Sequence, residues 1–299
     1  MSKAAQAVEV EVEGKRLKLS NLDKVFYPAT GFTKGQVIDY YRRVAPALLA
    51  HLRDRPLTLK RYPDGVDGQF FYEKQCPSYA PDWIDTVTVQ NRRKIDYCLA
   101  NDLATLMWLA NLADLELHTS LSRAEDIARP TMLVFDLDPG EPAGIMECAE
   151  VGIALRDLFK GLKLECYPKT SGSKGIQIYA PLNTPVTYED TKPFSHAIAM
   201  LLEKQMPKLV VSSQKKSIRR GKVLVDWSQN DEHKTTACVY SLRAREHPTV
   251  STPVSWQEVE KARGPEQLTF EADAVLERVE RDGDLFAPVL KKRQKLPEL

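Results

Sequence analysis

Met132-Leu133-Val134-Phe135-Asp136-Leu137-Asp138-Pro139-Gly140 is the stretch on which the reading of this chain turns. Its apolar run is of the kind that fills a strand buried on both faces, and Pro139-Gly140 ends it abruptly. Strand side chains alternate, so Asp136 and Asp138 share one face, ~6.5 Å apart along the strand, while Leu137 turns into the core. Two unpaired carboxylates beside an apolar strand repel each other and are costly to desolvate, which calls for positive charge between them. A divalent cation such as Mg²⁺ or Mn²⁺ supplies it, because hard cations take oxygen ligands and bridge carboxylates to substrate phosphates. The plainer alternative has Asp138-Pro139-Gly140 starting a turn and Asp136 pairing with a surface arginine.

Downstream, Val151, Ala154, Leu155 and Leu158 form a helical stripe that Gly161 can end, and Leu164 to Pro168 reads as a strand. Thr170-Ser171-Gly172-Ser173-Lys174-Gly175 follows. Two glycines, hydroxyls and a lysine can wrap backbone N–H groups and an ammonium around a phosphate, although a strand (Ile176 to Ala180) rather than a helix comes next, unlike a Walker A loop. A helix through Phe194, Ala197, Ile198, Leu201 and Leu202 leads to the dense basic run Lys215 to Lys222, and then to Val223-Leu224-Val225-Asp226-Trp227. Asp226 faces away from Val223 and Val225, so it joins Asp136 and Asp138 if the two strands are neighbours. Tyr240-Ser241-Leu242-Arg243 reads as a last strand-like segment, and the chain beyond Trp256 as helices ending in a mixed-charge tail.

Upstream, Val8, Val10 and Val12 alternate with acids ahead of Gly14, and Leu17 and Leu19 follow, which predicts an edge hairpin. Thr33 with Gln36 three residues on forms a capping-box signature for a helix whose stripe is Val37, Tyr40, Tyr41, Val44 and Leu48. Lys24 and Lys34 bracket the preceding loop as two exposed lysines. Pro56 to Pro63 reads as a short strand, and Phe70-Phe71-Tyr72 cannot all face one core, so at least one aromatic is near the surface, where a base can stack. Leu103, Leu106, Met107 and Ala110 mark a further helix before Glu116-Leu117-His118.

The 42 Lys and Arg against 41 Asp and Glu give a net charge of +1, so any nucleic-acid binding must come from local patches. Cys76, Cys98, Cys148, Cys166 and Cys238 are scattered and odd in number, which argues against a zinc site or a disulfide framework and fits a reducing cytoplasm. With no signal-peptide core and no run of ~20 apolar residues, no membrane is expected. Neither repeats nor a clear linker interrupt the chain.

Three carboxylates on strand ends, a phosphate-shaped loop and neighbouring cations fit phosphoryl transfer from a nucleoside triphosphate. In their order, Ser20-Asn21-Leu22-Asp23-Lys24, Asp136-Leu137-Asp138-Pro139, Ser171-Gly172-Ser173-Lys174-Gly175, Val225-Asp226-Trp227 and Tyr240-Ser241-Leu242-Arg243 resemble the polymerase domain of bacterial DNA ligase D, within the archaeo-eukaryotic primase superfamily. Its stand-alone mycobacterial Prim-PolC type is the nearest in kind. The resemblance implies a mixed α/β fold across residues 1–299, an N-terminal module to about residue 120 packed on an RNA-recognition-like catalytic module over 121–299. It implies a template-dependent polymerase that fills short gaps and prefers ribonucleotides, with two divalent metals, Mn²⁺ or Mg²⁺, on Asp136, Asp138 and Asp226. Nucleotide-binding positions match Lys60, His118, Ser171, Lys174, Arg219 and Arg243. Recognition of a downstream 5′-phosphate matches Asn21, Lys24 and Lys34, and the stacking aromatics match Phe71 and Tyr72.

Implied partners are gapped or broken DNA, NTPs or dNTPs, a separate ATP-dependent DNA ligase and Ku, with the chain a cytoplasmic, nucleoid-associated monomer. Gln177 departs from the pattern, standing where ligase D domains usually carry His in Ser-Gly-x-Lys-Gly-x-His; a neutral amide is expected to grip the triphosphate less firmly than an imidazolium. The segment between His118 and Asp136 is also short for the family. Two other classes stay open: a metal-dependent nucleotide-sugar transferase, and a catalytically silent module that binds DNA ends or gaps.

Overall fold

The structure, a computed structural model, describes residues 7–90 and 93–297. The N-terminal alternation does form a hairpin, β1 (Ala7–Val12) on β2 (Lys15–Ser20), turned by Glu13 and Gly14 at positive φ. A second small ribbon, β3 (Val25–Tyr27) with β4 (Phe32–Thr33), leads into α1 (Lys34–Leu52). Thr33 caps α1 with the expected reciprocal bonds to Gln36. The stripe Val37, Tyr40, Tyr41, Val44 and Leu48 is fully buried. Burying each such side chain contributes about 1.5–3 kcal/mol, so packing rather than intrinsic propensity holds a helix that also contains Pro46.

The next segments are β5 (Leu57–Arg61), β6 (Phe71–Glu73), and the hairpin β7 (Thr86–Gln90) with β8 (Lys94–Cys98). Then come α2 (Leu103–Asn111), β9 (Asp114–Thr119) and a ribbon of β10 (Ser122–Arg123) with β11 (Asp126–Pro130). Cys76 and Cys98 are joined as a disulfide, contrary to the expectation from spacing. The hairpin returns Cys98 to Cys76 from 22 residues away, a proximity that no short motif encodes.

The strand that decides the fold is β12 (Met132–Pro139). It opens a β-α-β-β-α-β unit: α3 (Ile145–Gly161), β13 (Tyr167–Thr170), β14 (Ile176–Pro181), α4 (Tyr188–Gln205), a short β15 (Val210–Val211) and β16 (Val223–Asp226). The sheet order is β13-β14-β12-β16-β15. Leu133, Phe135, Leu137, Ile176, Ile178, Val223 and Val225 pack on α3 and α4 in one core. By alternation the other face, carrying Met132, Val134, Asp136, Asp138, Gln177 and Tyr179, looks toward the N-terminal half, and its apolar members join the second core. The two acids therefore stand where the two halves meet.

A four-stranded sheet, β17-β9-β5-β6, forms the opposite wall, and its strand β17 (Thr236–Ala237) comes from the second half of the chain. The C-terminal helices α5 (Trp256–Lys261), α6 (Ala272–Asp282) and α7 (Pro288–Lys291) follow. Three local expectations shift. Helix α3 is capped at Leu162, with Lys163 rather than Gly161 taking the left-handed conformation. The strand read at 164–168 lies at Tyr167–Thr170. The segment 240–243 is not a strand: Tyr240 has a φ of 64°, and Leu242 makes one isolated bridge to Val250. Backbone bonds to residues 249–251 (Tyr240 N–H to Ser251 O at 2.7 Å, Arg243 N–H to Thr249 O at 2.8 Å, Ser251 N–H to Ser241 O at 2.9 Å) hold it together with side chains, since Tyr40 donates to the Tyr240 carbonyl (2.8 Å), Leu242 N–H to the Tyr41 hydroxyl (3.1 Å) and Tyr27 to the Arg243 carbonyl (3.1 Å). Among the described residues no helix is long and apolar enough to cross a membrane.

Candidate active site

Between the two sheets lies a cavity of about 470 Å³ whose lining includes Asp136, Asp138, Thr58, Tyr72, His118, Ser171, Ser173, Gln177, Lys234, Arg243 and Arg245. A wider cavity of about 850 Å³ shares His233 with it, and its lining includes Tyr188, Lys192, His196, Trp227 and Asp231 but neither Asp136 nor Asp138.

Antiparallel pairing of β12 with β16 sets Asp136 directly opposite Asp226. The third acid is thus brought beside the first two, as its position after an apolar strand suggested. Burial, then the charge of Asp138, push the Asp136 carboxyl up to about 7, while a hydrogen bond from Gln177 pulls the other way. Asp138 is raised by burial and by Asp226, against the pull of Arg219, Arg243 and Arg245. Asp226 is differently engaged. Its Oδ1 accepts from Ser228 N (2.9 Å), Ser228 Oγ (2.6 Å) and Gln214 Nε2 (2.8 Å), and its Oδ2 accepts from Gln229 Nε2 (2.9 Å). Turned this way it caps the 3₁₀ turn Trp227–Gln229. Among the described residues no three His, Cys, Asp or Glu side chains are gathered as a metal-ion cluster, so the expected three-acid ligand set is not preformed in this side-chain arrangement.

The turn after β12 is glycine for steric reasons: a Cβ at Gly140 would run into the Arg219 carbonyl, and one at Gly175 into that of Leu137. Both close approaches draw neighbouring loops onto the acids. The 170–175 loop, however, does not present the bare N–H groups expected of it. Ser171 Oγ accepts from Ser173 N (3.2 Å) and Gly175 N (3.1 Å), so the loop folds on its own hydroxyl. Lys174 stands outside the cavity lining, paired with Glu141 at 2.9 Å. The cation reaching this loop is Arg243, which donates to the Ser171 carbonyl; Arg245 donates to Ser173 Oγ. Arg219 donates to Gln214 O (2.6 Å) and Oε1 (2.9 Å), while its buried Nε has no hydrogen-bond partner among the described residues.

Sequence reading missed the residue that organises the opposite wall. Glu116, 2% exposed on β9, collects Lys60 (3.1 Å), His118 (3.0 Å), Arg243 Nε (3.2 Å), the Tyr62 hydroxyl (3.3 Å) and Ala244 N (3.1 Å). Burial alone would raise its carboxyl, yet His118, Arg243 and Lys60 hold it well below the usual range. Burial lowers His118 in turn, against Glu116. The available signal was period: Glu116 and His118 are two apart in a strand and share a face.

Phe70, Phe71 and Tyr72 are all exposed. Tyr72, the register partner of Lys60, lines the cavity with its ring edge-on to His118 at 6.1 Å, whereas Phe71 points the other way, over Arg61 at 5.1 Å. The two aromatics therefore serve different faces.

Asn21, Lys24 and Lys34 are gathered in one turn, with Lys24 N–H on the Asn21 carbonyl (3.0 Å) and Lys34 N–H on that of Lys24 (2.8 Å). Lys34 is not the exposed lysine expected: it is 5% exposed and donates to Ser20 O at 2.7 Å. Burial, then the charge of Lys24, lower it to about 8. Lys24 is exposed and paired with Asp64 at 2.7 Å.

Residues 33–286 match the family model described as LigD, primase-polymerase domain. The chain is 43% identical over 278 residues to the multifunctional non-homologous end joining protein LigD of Mycolicibacterium smegmatis, covering 92% of this chain and 36% of that protein. It is 32% identical over 283 residues to the bifunctional non-homologous end joining protein LigD of Bacillus subtilis, covering 94% of this chain and 45% of that one. The solved polymerase domain from Mycobacterium tuberculosis ligase D in complex with DNA superposes with a TM-score of 0.86 at 44% identity, covering 92% of this chain and 98% of that one. The chain thus spans about a third of the length of the mycobacterial LigD proteins it matches.

Proposed function

Because the chain belongs to the LigD primase-polymerase domain family, a family of DNA-repair nucleotidyltransferases, we propose that it is a template-dependent polymerase that fills short gaps in DNA and prefers ribonucleotides. The observation that carries the reading is the pairing of Asp136 with Asp226, with Asp138 beside them, at a cavity also lined by Lys234, Arg243 and Arg245. Burial and neighbouring carboxylates raise the proton affinity of Asp136 and Asp138, which suits a site whose working partner is a divalent cation. Asp136, Asp138 and Asp226 are the residues that would hold two such ions, Mn²⁺ or Mg²⁺. Bound there, they supply positive charge to the triphosphate and acidify the primer 3′-hydroxyl.

The chain's own side chains do the rest. Arg243 and Arg245 line the cavity beside Ser171 and Ser173 and would bind the triphosphate as fixed cations, with Lys174 and Arg219 at its edge. His118, held by Glu116 on the facing sheet, would orient the incoming nucleotide, and Tyr72 would stack near it. The solved mycobacterial domain is in complex with DNA; for this chain the polynucleotide substrate is proposed to be a gap or broken end with a 5′-phosphate, recognised by Asn21, Lys24 and Lys34. Filling leaves a nick, so an ATP-dependent ligase activity is the proposed next step, and Ku is the proposed companion at broken ends. The protein is proposed to act as a monomer at the nucleoid.

Primer extension across a gapped, 5′-phosphorylated duplex tests this reading. Faster addition of ribo- than deoxynucleotides, dependent on divalent cation and on Asp136, is expected. Gap binding with no extension in any metal would leave an end-binding module instead.

A further inference from the structure

A single row of four residues crosses the five-stranded sheet. Lys169 on β13 is the register partner of Gln177 on β14, Gln177 of Asp136 on β12, and Asp136 of Asp226 on β16. Cross-strand partners share a face, so the four side chains stand side by side. Lys169 is wholly buried, and its ammonium donates to Gln177 Oε1 (2.6 Å), Ser251 Oγ (2.5 Å) and the Ala237 carbonyl (3.0 Å). All three hydrogens are used on neutral acceptors; the nearest acid along the row is Asp136, one amide away.

A lysine ammonium has no lone pair, so whatever faces it must accept. This settles which way the Gln177 amide points. Its oxygen faces Lys169, with the Tyr179 hydroxyl as a weaker second donor at 3.4 Å. Its NH₂ therefore points along the row toward Asp136, its register partner on β12. Without the lysine the amide is free to turn over and present oxygen to oxygen, which repels the carboxylate instead of holding it. Asp138 lacks such a fixture from within the sheet and is countered instead by the arginines around it.

We propose that Lys169 and Gln177 form a positioning pair, in which the buried ammonium fixes the polarity of the amide and the amide fixes the Asp136 carboxylate for a divalent cation. This rests on the reading of Asp136 as a cation ligand. It also alters what is expected of the departure at position 177. A neutral imidazole has one acceptor and one donor nitrogen, so histidine keeps the polarity of the row: acceptor toward Lys169, donor toward Asp136. The requirement is polarity, not positive charge.

Mn²⁺ affinity of the full chain without nucleotide, followed by the electron paramagnetic resonance of free Mn²⁺, separates the possibilities, alongside kcat and KM for single-nucleotide gap filling. Lys169→Met and Gln177→Leu should each weaken Mn²⁺ binding roughly tenfold or more, as loss of the partner that orients a ligand does. They should lower kcat while leaving nucleotide KM and gap-DNA binding within about twofold, since uniform binding is untouched. Gln177→His should retain Mn²⁺ affinity within about threefold of wild type by the same polarity rule. Should a single variant fail to fold, the Lys169→Met/Gln177→Leu double variant leaves neither partner buried and unsatisfied and must show the same loss. Loss of Mn²⁺ binding on Asp136→Ala with none on Lys169→Met would overturn the positioning pair alone. A wild type that neither binds Mn²⁺ nor needs Asp136 would overturn the reading of the acids and the pair with it.

Discussion

Asp136 and Asp226 face each other as register partners on adjacent antiparallel strands, yet their carboxylates keep different company. Asp136 turns into the cavity beside Asp138, whereas Asp226 accepts from Gln214, Gln229 and both polar groups of Ser228. Alanine at 136, 138 or 226 is expected to abolish primer extension and leave gap-DNA binding largely intact. Only Asp226→Ala should also destabilise through loss of its capping role, by about 1 kcal/mol. Near-normal extension by Asp226→Ala would remove it from the reacting set, and urea melts of the three variants check the difference in stability.

Stability against pH gives a second test. The folded Asp136 carboxyl, at about 7, sits above the 3.8 of an ordinary aspartate. Between those values the native chain holds more protons than the unfolded one, so this group's contribution is full at acid pH and is lost as pH rises through about 7. Asp136→Asn should therefore raise the melting temperature at pH 8 but not at pH 4.5, by about 2–4 °C for each kcal/mol relieved. Mn²⁺ should lift the wild type at pH 8 and lift Asp136→Asn much less. A cation-independent melting curve at pH 8 would count against metal binding here.

Glu116 carries the opposite sign. Its carboxyl is held low, so it stabilises above the ordinary glutamate range, and that contribution is lost as the pH falls through its depressed folded value. Glu116→Leu leaves Lys60, His118 and Arg243 without their shared anion, and removing one member of such a buried group costs about 3–5 kcal/mol. Nucleotide KM should rise along with the loss of stability, because the same side chains face the cavity. Unchanged denaturation midpoints would show that solvent replaces the carboxylate.

At the 5′-phosphate position the two lysines are not equivalent. Lys34 is buried on the Ser20 carbonyl, so its removal perturbs the turn itself, while Lys24 can exchange its exposed partner Asp64 for a phosphate. The wild type should bind a 5′-phosphorylated gap more tightly than the hydroxyl-ended one. Lys24→Ala should cut that preference by about 1.5–3 kcal/mol, the value of one charge-assisted contact. Gel-shift titrations at fixed salt measure it. Equal weakening for both gaps would make Lys24 a general backbone contact.

What was legible in the sequence was what period and punctuation encode. The β12 run and its acids, the Thr33–Gln36 cap with its stripe, and Asp226 after an apolar strand all lie within a few residues of their own explanation. Register was not legible, and with it went the row from Lys169 to Asp226: a lysine between Pro168 and Thr170 carries no mark of burial. Glu116 was overlooked because a glutamate in an alternating strand reads as its wet face. The Tyr240–Arg243 segment reads as a strand and does pair by backbone bonds with residues 249–251, but the positive φ at Tyr240 and the tyrosine hydroxyls that share its backbone groups keep it from being a regular one. Cys76 and Cys98 meet only once a hairpin has folded back.

The strand β17 pairs with β9 at Thr236↔Thr119 and Ala237↔His118, and that has a consequence for biosynthesis. His118 and Glu116 leave the ribosome long before residues 236 to 245 do, so the wall on which a nucleotide would lie has an open edge until the late segment arrives and brings Arg243 with it. On the proposed reading, a half-made chain lacks the arginine and the closed wall that would hold a triphosphate. For the same reason no cut at the middle of the chain separates a working catalytic half, and circular permutants must keep Thr236–Arg243 free to reach β9.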